Sequence, residues 1–182
     1  MSYYREQAIK TANAYLEANP IFLDTETTGL GQRDEIVEIS ILEYDGTVLL
    51  DTLVKPGRKI PYDASRIHGI TDQIVQDAPA WFHVWPKVEE IIKGHVLGIY
   101  NAEFDLRMMK QSHQNLGMPW RFPQAQVFCI MKLYTSYIGS RRWQSLGNAG
   151  RQSGINLPNT HRTLDDTLLA REVFLKITGQ NE

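Results

Sequence analysis

Between Ile21 and Val54 the chain lays down three successive stretches of strand character with no room for a helix between them. From Ile36 to Tyr44, the set Ile36, Glu38, Ser40 and Leu42 alternates with Val37, Ile39, Ile41 and Glu43, which is the period of a strand. Asp45-Gly46 then offers the residue pair that favours a tight hairpin turn, and Thr47 to Val54 runs back. Strands joined on such short tethers pair antiparallel, so this part of the molecule is committed to a meander. The first strand also carries an anomaly. Asp24 and Glu26 lie two residues apart and project from one face, where like charges repel unless a cation lies between them. A hard divalent ion takes oxygen ligands and is typically held by one or two carboxylates. Taken alone, Asp-x-Glu also fits a solvated strand end.

The remaining segments set the architecture. Tyr4 to Ala18 has helical spacing and stops at Asn19-Pro20. After Lys55-Pro56-Gly57, residues 58 to 79 form a long connection containing Ile67-His68-Gly69-Ile70-Thr71, in which His68 either approaches a substrate or packs within the loop. Trp81 to Lys93 is a helical stripe closed by Gly94, with Pro86 starting or kinking it. His95 to Tyr100 reads as a buried strand, and Asn101-Ala102-Glu103-Phe104-Asp105 turns it into a helix directed towards Gly117. Further helices are expected through Val127 to Tyr137 and Trp143 to Gln152. The pattern predicts an α/β fold: a mixed sheet with an antiparallel three-strand meander, flanked by helices. We expect a single domain over 1–182, with a leading helix over 1–20 and the core over 21–178.

The lone cysteine, Cys129, sits in the apolar run Val127-Phe128-Cys129-Ile130-Met131 and excludes an internal disulfide. Neither a signal core nor a membrane-length apolar segment is present, so a cytoplasmic location without membrane association is expected. A formal charge of −2 argues against coating long nucleic acid by bulk electrostatics. It leaves room for gripping a strand end through metal and local cations, such as Lys55, Arg58 and Lys59, or Arg141 and Arg142, which otherwise read as solvated surface.

In the final helix, about Leu164 to Thr178, the apolar stripe of Leu169, Ala170, Val173 and Ile177 extends back to Asp166, whereas Asp165 aligns with Glu172 and Lys176. A carboxylate on the core stripe is costly unless paired or metal-bound, which makes Asp166 the candidate ligand. Both aspartates would also suit a helix N-terminus capped by Thr163, and Asp105 has the same alternative in its own helix. His161 falls in the preceding loop, free to lean over whatever Asp166 binds.

The ordered set Asp24-x-Glu26, Asn101-Ala102-Glu103-Phe104-Asp105 and His161-x-x-x-x-Asp166 resembles the three motifs of the DEDDh, or DnaQ-like, 3′-5′ exonuclease family. Leu23 to Leu30 and Ile67 to Thr71 also match that family's wording, and the resemblance spans about Ile21 to Ile177. It implies a ribonuclease H-like fold and two divalent metal ions, Mg²⁺ or Mn²⁺. Asp24, Glu26, Asp105 and Asp166 would be the metal carboxylates and His161 the general base. Thr27, Thr28, Gly29 and Leu30 would lie beside the terminal nucleotide, and His68, Asn101 and Phe104 complete the expected substrate-binding set. Two positions depart from the pattern: Tyr100 stands where many members have histidine, and Thr163 where alanine is common.

The resemblance leans towards nucleic acid 3′ ends of DNA over RNA, with roles in repair, proofreading or end trimming. An exoribonuclease, or a non-catalytic nucleic-acid binding module, are the alternatives. The chain ends soon after its last helix, without the extension by which proofreading subunits attach to a polymerase, which favours a stand-alone enzyme. A polymerase partner and a homodimer both stay open.

Overall fold

The computed structural model describes residues 3–180. After α1 (Tyr3–Leu16), the strands β1 (Ile21–Thr27), β2 (Ile36–Leu42) and β3 (Val48–Leu53) form the expected antiparallel meander. Two short helices follow, α2 (Tyr62–His68) and α3 (Trp81–Ile92). The chain then crosses through β4 (Val96–Ile99), α4 (Ala102–Asn115) and β5 (Gln126–Cys129), and closes with α5 (Ile130–Tyr137), α6 (Leu146–Gln152) and α7 (Thr163–Thr178). The sheet order is β3-β2-β1-β4-β5, with β4 parallel to both β1 and β5. This is a mixed five-stranded sheet of the ribonuclease H-like type, covered by helices on both faces.

Alternation along β1 decides which helices meet which face. Ile21 and Leu23 enter one core with Trp81, Trp85, Val88, Met108 and Met109 of α3 and α4. Phe22 enters the other, with Ala12, Tyr134, Val173 and Phe174 of α1, α5 and α7. Gly98 sits opposite Phe22 and Phe128 in neighbouring strands, and a Cβ there would approach their rings to 2.9 Å and 2.7 Å. Only glycine lets both rings close over the sheet at that point.

Two expectations need correction. Val127 to Tyr137 is not one helix: Gln126–Cys129 is an edge strand, and α5 starts directly after it at Ile130. Pairing with β4, through Gly98 to Phe128 and Ile99 to Cys129, supplies hydrogen bonds that a local reading cannot see. The long connection over 58–79 contains α2, which ends at His68, and α6 begins at Leu146 and not Trp143. Pro86 lies inside α3 with its side exposed, so the helix passes through it and only the Phe82 carbonyl loses its helical donor. Cys129 is half-buried and its thiol points at the Tyr100 carbonyl, 3.3 Å away. No helix among the described residues is long and apolar enough to cross a membrane.

Candidate active site

Asp24 and Glu26 follow Phe22 on the face of β1 that α7 covers, and Thr25 faces α4. Carboxylates therefore reach the end of β1 from both layers. From α7, Asp166 is buried at 5% exposure, while Asp165 is half-buried and accepts from the Thr160 hydroxyl at 2.6 Å. The apolar stripe buries Asp166 more deeply than Asp165, the order that the periodicity predicted. From α4, Asp105 is 3% exposed, and one of its oxygens accepts from the Thr25 hydroxyl at 2.7 Å and the Thr25 N–H at 3.1 Å.

Single ligand atoms of Glu26, His161 and Asp166 lie within 4.8 Å of one another, a donor set that fits a cation. His161 is held with φ 56°, the left-handed region that a non-glycine residue enters at a cost of about 1–2 kcal/mol, and its Nδ1 is 3.9 Å from Asp166 Oδ2. The other Asp166 oxygen accepts from the Asn159 amide at 2.8 Å. Asp166 is thus aimed by a loop asparagine that sequence reasoning overlooked.

Crowding and burial leave these carboxylates short of positive charge. Burial first, then Asp166, Glu38 and Asp105, push Glu26 up to about 8, with Arg162 pulling the other way. Burial raises Asp105 to about 7 even though the Thr25 hydrogen bonds favour its ionised form. Asp24 is driven well above the usual carboxylate range by burial and by Asp105, Glu26, Asp166 and Glu38, and burial raises Asp166. Four acids crowd one strand end, and the repulsion that raises Asp24 and Glu26 is one that a bound cation would relieve.

Beside them lies a pocket of about 540 Å³, lined by Thr25 to Leu30, Asp34, four α2 positions that include Ile67 and His68, and Phe104. Its loop is ordered, because Asp34 accepts from the Thr28 hydroxyl at 2.8 Å and the Gly31 N–H at 2.6 Å. Leu30 is 76% exposed and Ile67 56%, so its rim carries apolar groups open to a flat ligand. His68 is buried, 3.2 Å from the Thr27 carbonyl through Nε2, and accepts the Ile70 N–H on Nδ1. It is a packed wall of the pocket and not a free loop side chain. Asn101 is exposed at the start of α4 and does not line the pocket.

A family model described as exonuclease, RNase_T, matches residues 21–174. The chain belongs to this exonuclease family. Within it, the DnaQ-like branch is the one the chain resembles. The exonuclease is 36% identical over 177 residues to an uncharacterised exonuclease of Escherichia phage 186, covering 91% of each chain. It is 30% identical to the DNA polymerase III subunit epsilon of Treponema pallidum, covering 83% of the exonuclease and 72% of that subunit. It spans only 23% of a similar epsilon-like protein of Rhodobacter capsulatus. Among solved structures, exonuclease X in complex with 5′ overhanging duplex DNA superposes with TM-score 0.68 at 26% identity, over 88% of this chain and 91% of that one. The nuclease domain of 3′hExo, a DEDDh member bound to rAMP, shares the fold at TM-score 0.76 and 17% identity, over 90% and 92%.

One further group in the exonuclease escaped the sequence reading. Glu38 faces Glu26 across the strand pair, is 2% exposed, and takes the Arg162 Nε at 3.0 Å and the Thr163 N–H at 3.0 Å. Arg162, not Thr163, is the N-cap of α7, while the Thr163 hydroxyl contacts Ser40 at 2.5 Å. The available signal was Glu38 and Ser40 recurring on one face of an otherwise apolar strand. That polar stripe is what receives the start of α7.

Proposed function

We propose that the chain is a metal-dependent 3′-5′ exonuclease that hydrolyses the terminal phosphodiester of DNA, releasing nucleoside 5′-monophosphates in repair, proofreading or end trimming. The observation that carries this reading is the convergence of Glu26, His161 and Asp166 within 4.8 Å beside the half-buried Asp24 and the buried carboxyl of Asp105. DNA is supported by relatives named as DNA polymerase III subunits and by the DNA complex of exonuclease X. Residues 21–178 would form the catalytic unit, with α1 packed against it.

Asp24, Glu26 and Asp166 would hold one Mg²⁺ or Mn²⁺, and Asp24 with Asp105 a second; two such ions supply charge neutralisation at the scissile phosphate and acidify water. Asp105 keeps one oxygen on Thr25, which leaves the other for this task. The pocket formed by Thr27 to Leu30, His68 and Phe104 would receive the terminal nucleotide, with Leu30 and Phe104 against the base. With Nδ1 turned to Asp166, His161 presents Nε2 to the attacking water and accepts its proton. In-line attack then forms the new P–O bond as the bond to the 3′ oxygen of the penultimate nucleotide breaks.

Digestion of matched 5′-labelled single-stranded DNA and RNA oligonucleotides, with Mg²⁺, Mn²⁺ or EDTA, tests this directly. A metal-dependent ladder that shortens from the 3′ end, and is absent for Asp24→Ala, supports the proposal. Faster loss of RNA would reassign the substrate, and binding without shortening under any metal would turn the reading to a non-catalytic module.

A further inference from the structure

Residues 106–164 contain eight lysines and arginines and no aspartate or glutamate, in a chain of net charge −2. The remainder therefore carries −10, and the basic stretch contains α5, α6 and the loop that leads into α7. Within it, Trp143 is 57% exposed, a costly position for the largest side chain in water. The Lys132 ammonium from α5 sits 5.8 Å from the centre of its ring, and Arg141 and Arg142 precede it. Among the described residues no carboxylate ion-pairs with Lys132, Arg141 or Arg142.

This patch is ordered and joined to the site. The Ser140 hydroxyl accepts the Arg142 N–H at 3.0 Å and donates to the Arg142 carbonyl at 2.8 Å, closing the turn. The Tyr100 hydroxyl donates to the Gln144 carbonyl at 2.9 Å, anchoring the segment to the residue before Asn101. A few residues on, Gly147 packs so closely on Asn159 that a Cβ would lie 2.8 Å from its Oδ1, and Asn159 is the residue that aims Asp166.

We infer that Trp143, with Lys132, Arg141 and Arg142, is a platform for the substrate strand upstream of the scissile nucleotide: an unpaired base stacks on the indole and the cations take its phosphates. Base stacking on an exposed aromatic flanked by cations is how proteins hold single strands without reading sequence. Uncompensated positive charge matches a polyphosphate backbone and explains how a chain of net negative charge draws a strand to an acidic centre. The inference rests on the exonuclease reading, deepens it to single-stranded ends, and departs from the solvated-surface reading of Arg141 and Arg142.

Two substrates separate the two ideas: an 8-nucleotide single-stranded DNA, and the p-nitrophenyl ester of thymidine 5′-monophosphate, which offers one nucleotide only. Binding of the 8-mer is read by fluorescence anisotropy with Ca²⁺, and hydrolysis of both with Mn²⁺. Trp143→Ala should raise the 8-mer dissociation constant roughly 5- to 150-fold, and Trp143→Phe should keep most of the affinity. Arg141→Gln with Arg142→Gln should lower the slope of log affinity against log salt by roughly 1.4, about 0.7 for each phosphate lost. The losses should be confined to the longer strand, with ester hydrolysis as in the parent. Unchanged 8-mer affinity in Trp143→Ala, or equal losses on both substrates, would overturn the platform, as would a patch whose substitution alters only self-association or protein binding. If the parent hydrolyses neither substrate, the exonuclease reading fails first and takes the platform with it.

Discussion

Arg162, one residue after His161, holds both carboxylate oxygens of Glu38 at 3.0 Å from its Nε, while the Thr163 N–H takes one of the same oxygens. The pair is asymmetric, since the Glu38 side chain is 3% exposed and that of Arg162 49%. Glu38 thus fixes the chain at Arg162 and Thr163, directly after the left-handed turn at His161.

Glu38→Gln keeps the shape and an acceptor but loses the charge. Stability should fall by about 1–2 kcal/mol, the lower part of the range for hydrogen bonds to charged groups because Arg162 is half in water. Turnover should fall by roughly tenfold or more with KM little changed, because the group it would misplace is the proposed base, His161, and not the nucleotide pocket. Urea melts and steady-state kinetics check both, and full turnover in a destabilised protein would leave the pair a purely structural role.

The raised carboxyls give metal-free protein a defined pH response. Their folded pKa values, about 8 for Glu26 and about 7 for Asp105, lie above the ordinary carboxylate values that apply when unfolded. The folded state then binds more protons between about pH 4 and 8, so this contribution is full below pH 4 and is lost as pH rises through the folded values. A divalent ion reverses the loss. The rise in melting temperature on adding Mn²⁺ should therefore be larger at pH 8 than at pH 6, and Glu26→Gln should shrink it at pH 8. Equal shifts at both pH values would count against a metal held by these acids.

Asp166→Ala should abolish hydrolysis, and Asp165→Ala should leave most of it, since Asp166 is buried at the cluster and Asp165 bonds outward to Thr160. His161→Ala should lower turnover about a hundredfold to ten-thousandfold with the fold intact by circular dichroism. Near-normal turnover would remove His161 from the role of base.

A separate pH dependence lies under the sheet. His113 is 1% exposed, surrounded by Trp81, Trp85 and Trp120, with its Nδ1 2.8 Å from the Met109 carbonyl and 3.0 Å from the Trp81 indole nitrogen. Burial holds its pKa below the ordinary 6.5. The unfolded chain then binds the extra proton first, so the contribution is full above about pH 6.5 and is lost as pH falls towards the folded value. Parent and His113→Gln, compared by urea melts at pH 7.5 and 5.5, should converge at the lower pH. A constant difference would clear His113.

What the sequence determined by itself is whatever a strand's twofold or a helix's 3.6-residue period can express. Alternation and Asp45-Gly46 wrote the meander, and the stripe of α7 separated Asp166 from Asp165. The tertiary structure decided the rest, because the deciding partners are distant in the chain. The strand character of Gln126–Cys129 comes from a ladder with β4, in a segment with no breaker before Ile130. Thr25 holding Asp105, Asn159 aiming Asp166 and Glu38 gripping Arg162 are single polar contacts without a period, so only packing helices on both faces of one strand end could bring them together.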